Sequence, residues 1–290
     1  MTPEDKEKIL QAGKIGKLAL EYGKTLIAPG AKLLDIAEAI ENMIRDNGSK
    51  PSFPVNISIN NEAAHYTPIT GDSKRLATGD IVKLDVGAQI DGFLSDNAAT
   101  VEVGEGGQHS DLIDSTREAL AKAIKTVRPF VKVRDIGRVI EDTISSYGFK
   151  PVRNLGGHGI GRYDLHSSLF IPNYDDGNNM QIQPGSLIAI EPFASTGIGM
   201  IHNGPGGNIY IISGTKVKEA GIIYKEFNTV PFAQRWLCRI MPTCDQYLKQ
   251  VMKAKEVSQF PVLKEHKGAL ISQAEHTLLV TNDDVIVTTA

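Results

Sequence analysis

The sequence predicts an α+β chain built from two similar halves, on three observations. Helical hairpins recur at an offset of 100 residues, and an Asp-Gly turn joins two apolar strand-like runs. A Gly-rich passage followed by a helical, aromatic-bearing stretch then interrupts the second half. With 290 residues the chain can bury a large core, as one large domain or two ordinary ones. Hydrophobic content of 41% and charged content of 22% are those of an ordinary globular protein. A net charge of -3 without a long basic run argues against nucleic acid as the main partner. No stretch approaches the length of a membrane span, so no membrane partner is expected.

The start, Met1-Thr-Pro-Glu-Asp-Lys-Glu-Lys, has no apolar core and does not read as a signal peptide. It reads as a helix start, with Thr2 as N-cap, Pro3 at the first helical position and Asp5 in the capping-box place. Helices are expected at 4–27 and 31–47, with Ile9, Ala12, Ile15 and Leu18, then Leu33, Ile36, Ile40 and Ile44, on one stripe. A second pair is expected at 110–127 and 133–147. Residues 29–51 and 129–151 share 10 identities in 23 positions without a gap, including Pro29/Pro129, Gly48/Gly148 and Lys50-Pro51/Lys150-Pro151. Patterning alone makes amphipathic helices alike, but matched punctuation at both ends favours an internal duplication. The match continues from His65 to His166, and from the run ending in Asp85 to the run ending in Glu191. Two halves packed face to face about a pseudo-twofold axis would bring Asp85 and Glu191 together.

Between these helix pairs, Ile81–Asp85 and Phe93–Asp96 flank Asp91-Gly92, the preferred two-residue hairpin turn. That register sets Ile90 opposite Phe93, Asp85 opposite Ala98 and Asp96 opposite Gly87, with both carboxylates on one face. The hairpin alone does not decide between a cation site and two solvated aspartates, and a three-residue loop would put them on opposite faces. Beyond Glu191, a short strand is expected at Asn208–Ile212, helices from about Thr229 to Val257, strands again from Ala269, and a last hairpin at Asp283–Thr289. Residues 208–260 thus read as an insertion in a single domain spanning 1–290. Cys238 and Cys244 lack zinc-binding companions, so ordinary thiols in a reducing cytoplasm are the default, with a local disulfide left open.

Asp85, Asp96, Glu191 and Glu275 all interrupt or border apolar strands, and His158 sits among glycines in Asn154-Leu-Gly-Gly-His-Gly-Ile-Gly161. Singly, each is more often structural than functional. Carboxylate oxygens with one imidazole suit Mn, Fe, Co or Zn better than Mg or Ca, and five such groups at strand ends favour a dinuclear site.

These motifs, together with Asn60-Asn-Glu-Ala-Ala-His-Tyr-Thr-Pro68, Ile190-Glu-Pro-Phe-Ala-Ser195, Glu275-His-Thr277 and Pro231-Phe-Ala-Gln-Arg-Trp, resemble the type 2 methionine aminopeptidases of the pita-bread superfamily over nearly the whole chain. The resemblance implies a pita-bread fold: an antiparallel sheet covered by two helix pairs, with a helical insertion. It implies two divalent ions (Co, Mn, Fe or Zn) per chain, Asp85 chelating one, Asp96 and Glu275 bridging both, and His158 and Glu191 completing the site. It also implies hydrolysis of the first peptide bond, with His65 and His166 contacting substrate, Glu191 shuttling a proton, and Phe53 and Leu165 contributing to the methionine pocket. The implied substrates are peptides and nascent chains beginning with methionine, handled by a cytoplasmic monomer, with the ribosome as a candidate partner. Two positions depart from the family pattern: Ala274 stands where a bulky aromatic is common, and Asn97 where Thr is frequent. The charged N-terminal extension of eukaryotic members is not seen, which fits an archaeal-type enzyme.

Overall fold

A computed structural model describes residues 1–213 and 221–290; the part of the expected insertion at 214–220 lies outside the described residues. Helices α1 (Pro3–Thr25) and α2 (Leu33–Asp46) cover the first half, and α3 (Ser110–Thr126) and α4 (Val133–Ser146) the second. Thr2 and Asp5 close a reciprocal capping box at the start of α1, which satisfies two otherwise unpaired N–H groups. The helix pairs bury most of their apolar stripes on the strands of their own half; Leu18, expected on the α1 stripe, is instead exposed, and Ile9 packs in a cluster with Leu187 and Leu279 of the second half. Leu33, Ile40 and Ile44 meet Ile57, Val82 and Leu84, whereas Val133, Ile140 and Ile144 meet Ile188 and Leu278.

The duplication is visible bond by bond. Strands Lys50–Pro51 and Lys150–Pro151 follow α2 and α4 at the same offset. The Leu33 N–H donates to Lys74 O, and that of Val133 to Met180 O; Gly79 donates to Val103 O, and Gly185 to Val280 O. Glycines with positive φ occupy matching turns at Gly48 and Gly148 (φ 77° and 84°), where a Cβ would be strained.

In the first half, Asn56–Ile59, Ile81–Val86 and Asn97–Glu102 form an antiparallel sheet. Asp91 and Gly92 both have positive φ (51° and 83°), as the expected hairpin turn requires. Ile90 pairs with Phe93 and Asp85 with Ala98. In the second half the order is Asp164–Pro172, Gly156–Gly161, Leu187–Ile190, His276–Val280, Val285–Val287. Instead of one continuous sheet, the strands are cut into shorter ladders. The cuts fall at Gly87, at Ser95-Asp96, at Glu191-Pro192 and at Ala274-Glu275. The hairpin expected as two unbroken strands is therefore kinked on both sides. At the kink Ser95 Oγ accepts from Ala88 N and donates to backbone oxygen, replacing regular ladder bonds.

Among the contacts between the two halves, which include the pairing of Val257–Lys264 with Glu62–Ala64, one short seam runs beside the carboxylates. Ala98 and Glu275 exchange backbone hydrogen bonds, with Glu275 N to Ala98 O at 2.9 Å. Thr100 Oγ1 donates to Gln273 O (2.7 Å) and accepts from Gln273 N (2.8 Å). Thr277 Oγ1 does the same for Asp96, donating to its O (2.7 Å) and accepting from its N (2.8 Å).

Beyond Glu191 the chain departs from the expected elements. The strand read as Asn208–Ile212 begins at His202 and pairs with Val257–Lys264, a strand that falls partly inside the stretch read as helical insertion. Register shifts on either side of Gly206 let this Gly-rich segment pair despite its composition. Helices α5 (Gly221–Phe227), α6 (Gln234–Ile240) and α7 (Cys244–Lys253) pack around Phe232, Trp236 and Leu248. The reading of Cys238 and Cys244 as free thiols is corrected: they form a disulfide. The short turn between α6 and α7 brings their Cα atoms to 5.0 Å.

A buried polar knot ties α6 to α2. Glu41 Oε1 pairs with the Arg235 guanidinium and Oε2 accepts from Trp236 Nε1 (2.7 Å), while Arg235 Nη1 also donates to Thr67 Oγ1 and Pro68 O. Both charged side chains are fully buried, so removing one leaves the other unpaired in a dry place. Glu41→Ala is expected to destabilise the fold by about 3–5 kcal/mol, measured by urea unfolding; a loss under about 1 kcal/mol would show the knot to be dispensable.

Candidate metal centre

Three of the strand interruptions and one paired strand each deliver a carboxylate to a common cavity. Asp85 is carried near the end of Ile81–Val86, directly opposite Asn56. Asp96, Glu191 and Glu275 stand in the breaks before Asn97, after Ile190 and before His276. His158 comes from the middle of Gly156–Gly161, where Ala189 of the neighbouring strand is its partner. Its glycine neighbours have a steric reason: a Cβ at Gly157 would lie 2.2 Å from Ala189 O, and one at Gly159 2.2 Å from Ser167 Oγ.

The structure brings all five together. Ligating atoms of Asp96, His158 and Glu275 lie within 4.8 Å of one another. His158 Nε2 is 3.5 Å from Asp96 Oδ2 and 3.6 Å from Glu191 Oε1. Asp85 lines the same cavity, with its carboxyl against that of Asp96. Asp96, His158 and Glu275 are buried, and Asp85 and Glu191 are partly open to the cavity.

Burial, then the Asp96 charge, pushes the Asp85 carboxyl well above the usual carboxylate range. Asp96 is pushed up to about 7, mainly by burial, and burial with Asp96 as neighbour raises Glu191 and Glu275. Four carboxyls so close in a desolvated site cannot all be charged unless cations offset them. Burial lowers His158 to about 4, so its imidazole is neutral at neutral pH. Its Nδ1 lies 3.2 Å from Gly159 O. A carbonyl only accepts, so Nδ1 carries the proton and Nε2 presents a lone pair to the carboxylates.

This donor set fits a divalent cation. Among the described residues Asp85 Oδ1, Asp96 Oδ1 and Glu275 Oε1 are buried without a hydrogen-bond donor, an arrangement that a cation would satisfy. Oxygen donors with one imidazole nitrogen are the chemistry of Mn, Fe, Co or Zn. The other acidic and sulfur cluster among the described residues, Cys238, Cys244 and Asp245, has its sulfurs tied up in the disulfide.

The cavity, about 360 Å³, also holds His65, His166, Phe53 and Leu165. The His166 ring stands 4.4 Å from that of His158 and at 66° to it. His166 opens to the cavity mouth, yet surrounding protein desolvates it and, with His158, holds it at about 3. His65 is lowered to about 4 by burial, then by His166, and packs edge-on to Phe260 at 5.0 Å. It adopts φ 67°, a left-handed conformation uncommon for a residue with a side chain. Such strain persists where surroundings dictate it, as at functional sites. Phe53 and Leu165 are buried in one apolar cluster at the cavity wall.

Two residues of the site escaped the sequence reading. Gln273 is buried and donates from Nε2 to Glu275 Oε2 (3.2 Å) and Glu191 Oε2 (3.4 Å), spanning both carboxylates. Its place two residues before Glu275, on the same side of a strand, was the available signal. Asn56, across from Asp85, lines the cavity with a buried and unpaired Oδ1. Nothing in its local sequence marks it. Of the two departures from the family pattern, Ala274 packs in the second-half core and Asn97 donates to Gly16 O at 3.4 Å.

Similarity to known proteins agrees with a metallopeptidase. The chain is 40% identical to "Methionine aminopeptidase" from Methanocaldococcus jannaschii over 296 residues, covering all of both chains. It is 43% identical to the protein of that name from Pyrococcus abyssi, over 98% of this chain and 99% of the other. The crystal structure of the methionine aminopeptidase from Thermotoga maritima superposes with a TM-score of 0.74 at 27% identity, covering 100% of this chain and 98% of that one. The model of metallopeptidase family M24 matches residues 7–282, and the chain belongs to that family.

Proposed function

We propose that this chain removes the N-terminal methionine from peptides and nascent proteins by metal-dependent hydrolysis of the first peptide bond. The observation that carries the reading is the convergence of Asp85, Asp96, His158, Glu191 and Glu275, with unpaired carboxylate oxygens, beside an apolar wall of Phe53 and Leu165. Asp85, Asp96, His158, Glu191 and Glu275 would hold two divalent ions. Such ions supply a water of lowered pKa and polarisation of a carbonyl oxygen.

The remaining steps fall to the chain's own groups. Phe53 and Leu165 desolvate the methionine side chain and fix the first residue in place. His166 is neutral, so it keeps an N–H to donate to the oxyanion that develops on the substrate carbonyl. His65, also neutral, holds the scissile amide or the departing nitrogen. A Glu191 carboxylate oxygen takes the proton released by the attacking water and hands it to the departing amine. Gln273 keeps the Glu191 and Glu275 carboxylates apart in fixed orientation through its amide N–H groups. We read the chain as a cytoplasmic monomer that acts on nascent chains near the ribosome.

The decisive assay strips the protein with chelator, restores Mn or Co, and offers Met-Ala-Ser beside an Xaa-Pro peptide. Release of methionine from the first is expected, and only after metal is restored. Cleavage of the Xaa-Pro peptide alone would point to a proline-directed enzyme on the same fold and overturn the reading. His166→Ala is expected to stay folded and bind metal while kcat falls about 10²–10³-fold. Collapse of its metal content would make His166 a ligand instead. Asp96→Ala is expected to fail to retain two metals, as measured by elemental analysis after gel filtration; full activity in that variant would sink the dinuclear model.

A further inference from the structure

The apolar lining of the cavity includes parts of two separate clusters. Phe53 and Leu165 belong to one buried cluster, whereas Phe193, with Leu155 and Leu263 packed against it, belongs to another. The first wall is taken by methionine in the reading above; the second has no assigned occupant. Beside it runs the strand Asp164–Pro172, of which every residue from Leu165 to Phe170 lines the cavity. Along it exposure alternates: His166, Ser168 and Phe170 stand open, whereas Leu165, Ser167 and Leu169 are more covered, so every second side chain is presented outward. The strand is also the edge of its five-stranded sheet, so among the described residues one side of its backbone has no strand partner.

Phe170 ends this segment. It pairs in register with His158, and directly opposed residues project to the same face. Its Cζ comes within 3.3 Å of the point where a Cβ on Gly156 would lie, so the ring occupies the space that glycine leaves. Yet Phe170 is 43% exposed. A large aromatic left open on an edge strand is a liability for aggregation, which an occupant that covers it would remove.

We propose that this second wall, with Phe170 as its outer contact, is a subsite for an apolar side chain at the third residue of the substrate. The free edge of Asp164–Pro172 takes the substrate backbone in extended form. The inference rests on the aminopeptidase reading, in which the substrate is a polypeptide whose chain must leave the cavity beyond the cleaved bond. The first residue fills the Phe53 wall and the second carries the bond that breaks. An extended chain advances about 3.3–3.6 Å per residue, so the third is the first whose side chain clears the carboxylates.

The test compares kcat/KM for Met-Ala-Phe-Ser and Met-Ala-Gly-Ser amides with the metal-loaded full chain. The wild-type protein is expected to favour the phenylalanine peptide about tenfold, chiefly through KM. Phe170→Ser should bring the ratio close to one, and Phe170→Leu should keep most of it. A wild-type ratio near one, or an equal loss on both peptides in Phe170→Ser, would overturn the subsite. Failure of the wild-type protein to release methionine from either peptide would instead remove the aminopeptidase reading, and the subsite with it.

Discussion

The seam between residues 96–100 and 273–277 is the constraint on which the rest of the molecule depends. Each half folds its own helix pair onto its own strands, and neither half alone carries a complete set of ligands. Two threonine hydroxyls, Thr100 and Thr277, each donate and accept across the boundary, and Ala98 and Glu275 exchange backbone bonds between them. These few bonds hold Asp96 beside Glu275, although their positions are 179 apart in the sequence. The geometry of the cluster is therefore set by hydrogen bonds of the backbone and of short hydroxyl side chains, which have little freedom to drift.

The strand breaks follow from the same demand. A carboxylate in a continuous ladder would point squarely to one face, at a spacing set by the pleat. Interrupting the ladder at Ser95-Asp96, Glu191-Pro192 and Ala274-Glu275 frees each carboxylate to turn toward a common centre. The cost is lost ladder bonds, which Ser95 and Thr277 replace locally. The desolvation that raises all four carboxyls is a further cost, and it is tolerable only where protons or cations balance the charge.

Much of this was legible in the sequence, for identifiable reasons. The helix stripes, the capping box at Thr2 and the Asp91-Gly92 turn are local signals, and the structure has them within a few residues of where they were read. The duplication was legible because punctuation residues repeat at a constant offset. The cluster was legible only because carboxylates broke apolar runs. What stayed hidden depends on partners distant in sequence. The Gly-rich segment from His202 forms a strand because Val257–Lys264 lies against it, and no local propensity announces that. Asn56 and Gln273 have the composition of ordinary strand residues, and their place in the site comes from what stands opposite. The state of Cys238 and Cys244 turned on the path between α6 and α7, which spacing alone does not fix.

The seam has a mechanical side as well. Asp85 and Asp96 come from one half, and His158, Glu191 and Glu275 from the other. Cations gripped by both sets would act as a clasp across the boundary, closing a loop from Asp85 to Glu275, about two-thirds of the chain, much as a covalent cross-link does. Because they bind the assembled halves and not the separated ones, their concentration would enter the free energy of holding those halves together. Metal supply would then govern the lifetime of the folded molecule in addition to its turnover, and a cell short of metal would hold less of this protein as well as a less active one.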